Sequence, residues 1–191
     1  MVFGRPKVPA ALRALFDKEE RLLALADDDA TAVAATQRGL WLPQTEVAQV
    51  AQADPVGPAT TPGSGPGWRR VEWHRVVKAT WTEAGLEVTE GVPDPDGVVA
   101  DQPPLRYRLT EPRNLPQVVR QRVERSIGRW EQVKVPGGTG RIVGRREPGV
   151  DGITWTARID SGTPDSPEAR AVLRGYLERV RALPVDETAD F

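Results

Sequence analysis

Glu72 and His74 are the residues whose types and spacing come closest to an acid–base pair. They lie in the stretch WRRVEWHRVVKATW, residues 68–81, which holds the only histidine and three of the six tryptophans of the chain. On a strand, side chains two residues apart share one face at a distance of ~6.5 Å. A carboxylate beside an imidazole can transfer protons near neutral pH, but the same spacing suits a polar pair on a solvated face. No nucleophile motif such as G-x-S-x-G occurs, so we favour the polar pair and predict a non-enzymatic protein without catalytic residues.

Two other stretches resemble ligand-binding motifs. Residues 26–30, ADDDA, place three carboxylates in succession, but a calcium loop needs alternating acids and a later glutamate at a fixed spacing. Residues 136–144, PGGTGRIVG, resemble a dinucleotide-binding loop with one residue too many, and a strand instead of a helix follows them. The chain has no cysteine and one histidine, so a zinc site would depend mostly on carboxylates. We therefore predict neither a metal nor a cofactor.

A basic segment over residues 106–146 is the most unusual feature of the charge distribution. It holds ten arginines and one lysine against three glutamates, whereas the whole chain has a net charge of −1. Clustered arginines can bind anionic partners such as nucleic acid. They can equally form the solvated side of a helix whose charge is neutralised by nearby acidic segments. If the segment binds anions, the candidate residues are Arg120, Arg122, Arg125, Arg141, Arg145 and Arg146.

The tryptophans of residues 68–81 follow a period of two. Trp73 and Trp81 share the odd positions with other apolar residues, and charged residues such as Glu72 fall on even positions. A period of two indicates a strand with one buried and one solvated face, so we predict that both tryptophans are core residues. A stacking platform for bases would place them on the solvated face instead. Trp68 follows a glycine-rich loop, and we expect it to be partly exposed.

Periodicity and flanking residues predict the remaining elements. A spacing of four between apolar residues predicts an amphipathic helix over 114–127. Ser166 and Pro167 are the preferred pair for an N-cap and a first helical position, so a second helix should begin there and end at Pro184. The predicted strands cover residues 31–42, 68–81, 86–90, 105–110, 129–135, 141–146 and 153–159.

Proline and glycine divide the chain into segments. Residues 43–67 and 91–104 are rich in both and bury too little apolar surface to offset their ordering entropy, so we predict mobile loops. The length of 191 residues suggests one domain with an addition. No apolar run reaches the ~20 residues of a membrane helix and no signal-peptide pattern occurs, so we expect a cytoplasmic location. The predicted segments are an N-terminal segment 1–16, a domain 17–128, a β-β-β-α unit 129–184 and a frayed tail 185–191.

The order of elements between residues 17 and 128 resembles the bacterial pleckstrin-homology-like domain. The phrases that carry the resemblance are ATQRGLWL, WRRVEWHRVVKATW, GLEVTE and LRYRLT, with a helix after them. The chain is also similar to small proteins of high-GC actinobacteria. The resemblance implies an α+β fold of mostly antiparallel strands, in which a barrel or sandwich is capped by a helix. A β-hairpin, a further strand and a C-terminal helix are then appended to it.

Domains of this family generally serve as binding or assembly platforms, although a fold does not by itself fix a function. The resemblance therefore implies a non-enzymatic interaction or scaffold module with a protein partner. The alternative is an anion or nucleic-acid binder that uses the basic segment 106–146. One continuous basic stripe on the folded surface would favour that alternative.

Overall fold

The computed structural model describes residues 8–28, 31–44, 67–147 and 152–183. It has an α+β fold in which most strand pairs are antiparallel, as predicted. The chain divides into two compact units, of which the first is Met1–Glu90 with Pro103–Arg122 and the second is Gly91–Gln102 with Val123–Phe191. From the sequence, the boundary was expected at residue 128 and residues 91–104 were expected to belong to the first domain. Of the predicted loop 43–67, residues 45–66 lie outside the described residues.

The first unit contains a four-stranded antiparallel sheet. Its order is β1 (Leu22–Asp28), β2 (Thr31–Thr36), β3 (Gly39–Pro43) and β4 (Trp68–Glu72). β1 was not predicted from the sequence, and the single strand predicted over 31–42 is two strands, β2 and β3, in the structure. The chain reverses after Thr36, because the Thr36 hydroxyl accepts hydrogen bonds from the backbone N–H groups of Arg38 and Gly39.

The predicted strand 68–81 is also interrupted. A short 3₁₀ turn, Trp73–Arg75, separates β4 from β5 (Val76–Thr82), at the position where Arg75 breaks the apolar series. The register of β5 then shifts between Val76 and Lys78. β5 pairs with β6 (Gly85–Pro93), and β6 also pairs with β8 (Leu105–Tyr107). The single-turn helix α1 (Ala10–Arg13) and most of helix α2 (Leu115–Ser126) also belong to this unit.

The four-stranded sheet is buried on both faces. Successive residues of β2, Ala32 to Ala35, are all buried, and so are Leu40, Trp41 and Leu42 of β3. Because successive side chains of a strand point to opposite faces, a continuous buried run means that neither face is left to solvent. Leu12 of α1 is fully buried in the cluster that includes Trp41. The described part of the predicted N-terminal segment, residues 8–16, therefore contributes to the core.

The second unit is a sheet with one helix packed on it. Its strands follow the order β7 (Val98–Asp101), β11 (Thr154–Ile159), β10 (Gly138–Arg145) and β9 (Ile127–Val135). The pair β7–β11 is parallel and the others are antiparallel. The structure confirms the predicted strands near 129–135, 141–146 and 153–159. It corrects the predicted loop 91–104, which contains the end of β6, a turn and β7.

Asp94 forms the turn between β6 and β7. Its carboxylate accepts hydrogen bonds from the backbone N–H groups of Asp96 and Val98, and Gly97 adopts a φ of +85°. An aspartate that bonds the backbone ahead of it and a glycine in the left-handed region together make a tight turn. Pro93 ends β6 and Pro95 lies within the turn, directly after Asp94, a turn position that proline favours, so the prolines do not prevent a hairpin.

Helix α3 (Pro167–Ala182) covers one face of the second sheet. As predicted, Ser166 caps it, because the Ser166 hydroxyl accepts a hydrogen bond from the backbone N–H of Ala169. Leu173 and Leu177 are buried against a cluster that includes Ile142. Within the described ranges, no helix is both long enough and apolar enough to cross a membrane.

Candidate interaction surface

Glu72 and His74 form a polar contact at the end of β4. The 3₁₀ turn brings Glu72 Oε2 to 3.4 Å from His74 Nε2, and both side chains are partly buried. The strand geometry assumed from sequence would have kept them ~6.5 Å apart. Among the described residues, no group of three or more histidines, cysteines, aspartates and glutamates could hold a metal ion. Glu72 and His74 are therefore in contact as a polar pair.

The tryptophans of residues 68–81 differ in burial. Trp73 is buried, as predicted, and its indole N–H donates to the backbone carbonyl of Thr36 at 3.0 Å. Trp81 is only partly buried, so the prediction that it is a core residue was wrong in degree. Its strand has a register shift at Val76, which interrupts the alternation on which the prediction depended. Trp68 is partly exposed, as expected.

Arg70 of β4 belongs to a buried charge network. Its guanidinium lies 3.1 Å from Glu20 and 3.0 Å from Asp17. The Glu20 side chain is fully buried and also accepts hydrogen bonds from the Thr36 hydroxyl at 2.6 Å and the Trp41 indole N–H at 2.9 Å. A buried carboxylate is tolerated when it is paired and hydrogen-bonded in this way. The network is therefore part of the core.

Arg69, the residue before Arg70, belongs to a second network on the opposite side of the strand. It lies 2.7 Å from Glu90, which also contacts Arg75 at 3.0 Å. Burial raises the pKa of the neighbouring Tyr107 hydroxyl to about 12, with Arg69 acting to lower it and Glu90 to raise it. Tyr107 therefore stays protonated at neutral pH. Both arginines of β4, Arg69 and Arg70, thus have counter-ions within the first unit.

The six arginines predicted as anion-binding residues do not fall into one unit. Arg120 and Arg122 belong to the first unit, and the other four belong to the second. Arg125 and Arg146 are exposed. Arg145 is half-buried and donates to the Ser126 hydroxyl at 2.9 Å. Burial, with a further contribution from Arg158, lowers the pKa of Arg145 below its ordinary value.

Arg141, the remaining candidate, has an internal counter-ion. Its guanidinium Nε lies 2.6 Å from Asp160, which also accepts hydrogen bonds from Thr139 at 2.8 Å and Gln132 at 3.4 Å. Burial acts to raise the pKa of Asp160, but these hydrogen bonds and the Arg141 charge together hold it below its usual value. Asp160 is therefore ionised at neutral pH and offsets the charge of Arg141.

Trp130 of β9 is the feature that sequence reasoning missed. Its side chain is 61% exposed, and among the described residues it is the exposed large hydrophobic side chain. The Arg141 guanidinium lies 5.8 Å from the centre of its ring, within the range of a cation–π contact. Val133 and Val135 are buried beneath α3, so alternation directs Trp130 to the other face. The alternation of Trp130 with the valines that follow it on β9 is the sequence signal that could have predicted its exposure.

A small apolar cavity lies beside Trp130, near the end of α3. Its volume is about 120 Å³, enough for a few atoms of an apolar side chain. Its polar rim consists of Arg129 and Glu131, which flank Trp130 on β9. The lining residues are Arg129, Trp130, Glu131, Ile142, Trp155, Val180 and Leu183.

The outer edge of β9 offers backbone groups for pairing. The Thr139 N–H donates to Thr163 Oγ1 at 3.0 Å, and its carbonyl accepts from the Asp160 N–H at 3.1 Å, so both groups point away from β9. Lys134 is the cross-strand partner of Thr139, and such a pair leaves both residues facing outward. By alternation, Gln132 and Trp130 also direct their backbone groups to the outer edge. No backbone hydrogen bond to that edge occurs within the described residues.

The chain was compared with protein-family models, with curated proteins and with solved structures, and no match was found in any of the three.

Proposed function

We propose that this protein is a non-enzymatic interaction module and that its second unit binds a protein partner through β9. The observation that carries the proposal is the exposure of Trp130 on an edge strand. Tryptophan is enriched at protein–protein interfaces, where a single buried aromatic can supply much of the binding energy. An edge strand adds a row of unpaired backbone groups that a second strand can satisfy. We call the segment Ile127–Val133, with the cavity beside it, the β9 surface.

The resemblance to pleckstrin-homology-like domains supports the same proposal. The antiparallel strands of the first unit and helix α2 fit the order of elements expected of such a domain. The ionic networks around Arg69 and Arg70 are internal, which is typical of a structural role. We propose that residues 17–128 belong to this class of binding platform and that the second unit supplies the contact surface.

The anion-binding alternative has weaker support. Arg141 is paired with Asp160, and Arg145 is held by Ser126. Each internal partner would compete with a phosphate group for the same guanidinium. A polyanion binder depends on many such phosphate contacts, so these two arginines argue against that function.

Site-specific crosslinking tests the proposed function. Trp130 is replaced by the photoreactive p-benzoylphenylalanine in the full chain, which is expressed in its source cells and irradiated. The control carries the same residue at Glu178, which is exposed on α3 in the same unit. We expect a defined protein adduct from position 130 and none from position 178. Equal yields at the two positions, or no adduct at position 130, would reject the proposal.

A further inference from the structure

We infer that the first unit binds a small amphipathic carboxylate, such as a medium-chain fatty acid, in a cleft between α1 and β1. The cleft has a volume of about 1040 Å³ and is lined by residues of α1, of the link from α1 to β1 and of β1, together with Asn114. We call it the β1 cleft. The inference goes beyond the proposed function, because it concerns the other unit and a different class of ligand.

The size of the β1 cleft is the first observation that points to a ligand. Sites for small molecules typically have volumes of about 300–1,000 Å³, whereas close-packed protein interiors leave few voids larger than a water molecule. The cleft is also much larger than the cavity of about 120 Å³ beside Trp130. The β1 cleft therefore has room for a whole small molecule rather than for one side chain.

Part of the lining is apolar and is held in place by the core. Val8, Phe16 and Leu22 line the cleft and pack against the buried cluster that contains Trp41. The centre of the Phe16 ring lies 5.5 Å from the centre of the Trp41 ring. Leu23 of β1 also lines the cleft and is half-buried. Because removing apolar surface from water is favourable, this wall suits the hydrocarbon part of a ligand.

Two acidic residues line the cleft, and both have counter-ions within the unit. Asp17 lies 2.7 Å from Arg38 and 3.0 Å from Arg70. Glu20 has a fully buried side chain and lies 3.1 Å from the same Arg70. The charges of the two carboxylates are therefore offset by the two guanidinium groups, and they do not give the cleft a negative charge.

Two basic residues line the same cleft and are available to a ligand. Arg13 and Lys18 are exposed, and in the described part of the chain neither side chain has an ion-pair partner. Guanidinium and ammonium groups form short, charge-assisted hydrogen bonds with carboxylates, and the planar guanidinium matches a carboxylate with two donors at once. The uncompensated charge of the cleft therefore favours a ligand with an anionic head group.

The apolar wall and the two cations together select the class of ligand. Inorganic phosphate would leave the apolar wall in water, and a neutral hydrocarbon would leave the cations without a counter-ion. A monocarboxylate with an unbranched hydrocarbon chain matches both parts of the lining. Its carboxylate would contact Arg13 and Lys18, and its chain would lie against Phe16 and Leu23.

Calorimetric titration of the full chain with decanoate tests the inference. We expect saturable binding of one decanoate per chain. Octanoate should bind more weakly and dodecanoate more tightly, by about three- to fourfold in Kd for each methylene group. Decanol and decyltrimethylammonium have the same chain without a negative charge. Both should bind at least about tenfold more weakly than decanoate, because they lose the charge-assisted hydrogen bonds.

Two matched pairs of variants locate the site. Arg13→Ala should weaken decanoate binding about tenfold, whereas Arg21→Ala changes an exposed arginine outside the lining and should leave the affinity unchanged. Ala10→Trp places a large side chain in the cleft and should abolish binding. Ala11→Trp changes its exposed neighbour on α1, which does not line the cleft, and should bind as the wild type does. Circular dichroism spectra of all four should match that of the wild type.

Several results would overturn the inference. They are absence of decanoate binding up to its solubility limit, equal affinities for decanoate and decanol, and affinities that do not depend on chain length. Folded Arg13→Ala and Ala10→Trp variants that bind as their controls do would overturn it as well. Trp130→Ala should bind decanoate as the wild type does, so a failure of the β1 cleft and a failure of the β9 surface are observed separately.

Discussion

Two strands of this protein carry the same residue types and differ in their surroundings. β4 with its 3₁₀ turn has the sequence WRRVEWHR, and the start of β9 has IGRWEQ. In the first, Arg70 and Trp73 are buried and bonded to groups of their own unit. In the second, Trp130 is exposed, and the strand has a neighbour on one side. A tryptophan–arginine pattern therefore does not distinguish a core strand from a surface strand.

The difference arises from the acids placed around each strand. Glu20 and Glu90 are buried where they meet the arginines of β4, so the charges of that strand are neutralised inside the fold. On β9, Glu131 is exposed and lies two residues from Arg129 along the same strand. The arginines of β4 therefore contribute to the core of their own unit. On β9, the carboxylate of Glu131 remains accessible to solvent.

The largest effect should come from breaking the β4 network. Glu20→Ala leaves Arg70 buried without its main counter-ion, which typically costs about 3–5 kcal/mol. Asp17→Ala removes a partner of Arg70 that is half-exposed and should cost about 1 kcal/mol or less. Urea unfolding of both variants measures the difference. Equal losses would mean that burial does not distinguish the two carboxylates.

The helix-covered side of the β9 sheet should respond nearly as strongly. Leu173 of α3 is fully buried, and its side chain packs close to Gly140. Leu173→Ala should lower the free energy of unfolding by about 2–5 kcal/mol. Glu178→Ala on the exposed side of the same helix should change it by less than about 0.5 kcal/mol. Thermal or urea unfolding compares the two, and a small loss for Leu173→Ala would show that α3 is loosely packed.

The Asp160 contact with the β9–β10 hairpin should give an intermediate, pH-dependent effect. Its pKa is lower in the folded state than in the unfolded chain, so ionised Asp160 stabilises the fold at pH values above the unfolded pKa. This contribution is lost as the pH falls through the lower, folded-state pKa. Asp160→Asn should cost about 1–2 kcal/mol at neutral pH. The difference from wild type should shrink below about pH 4, and a pH-independent difference in urea unfolding would contradict this assignment.

The smallest effect on stability should come from Trp130. Trp130→Ala removes a side chain that is mostly exposed and should change the free energy of unfolding by less than about 0.5 kcal/mol. Trp41→Ala, in the core of the first unit, should cost about 3–5 kcal/mol. Both are measured at low protein concentration, where association does not contribute. A large loss for Trp130→Ala would show that this residue supports the fold.

Sequence patterns predicted the elements whose signals are local. The cap at Ser166 and the apolar spacing of α2 lie within a few residues of what they specify, and the structure confirms both helices. The strand β7 was missed, because it is held by parallel pairing with β11, which is distant in sequence. β1 was not predicted, and its last residues belong to the acidic stretch ADDDA, whose composition is not typical of a strand. The strands that were not predicted therefore depend on contacts between residues far apart in the sequence, as in β7, or have a composition that is not typical of a strand, as in β1.

The same limits apply to the candidate site. The six arginines were chosen by their density in the sequence, but Arg141 is neutralised by Asp160 and Arg145 is bonded to Ser126. Those contacts depend on how the strands and helices pack, which the density of arginines in the sequence does not specify. Trp130 could have been found from the sequence, since the valines that follow it on β9 alternate with it. If Val133 and Val135 are buried on one face of β9, Trp130 must lie on the other face.

The parallel pairing of β7 with β11 also constrains the order in which the chain folds. Val98 pairs with Ala157, so β7 leaves the ribosome well before its neighbour is synthesised. Closing such a long loop is entropically unfavourable and slows folding, because the contact forms only after much of the intervening chain is in place. Until then, β7 has an unpaired side that is prone to aggregation. A truncation that keeps residues up to 128 would leave this side unpaired permanently.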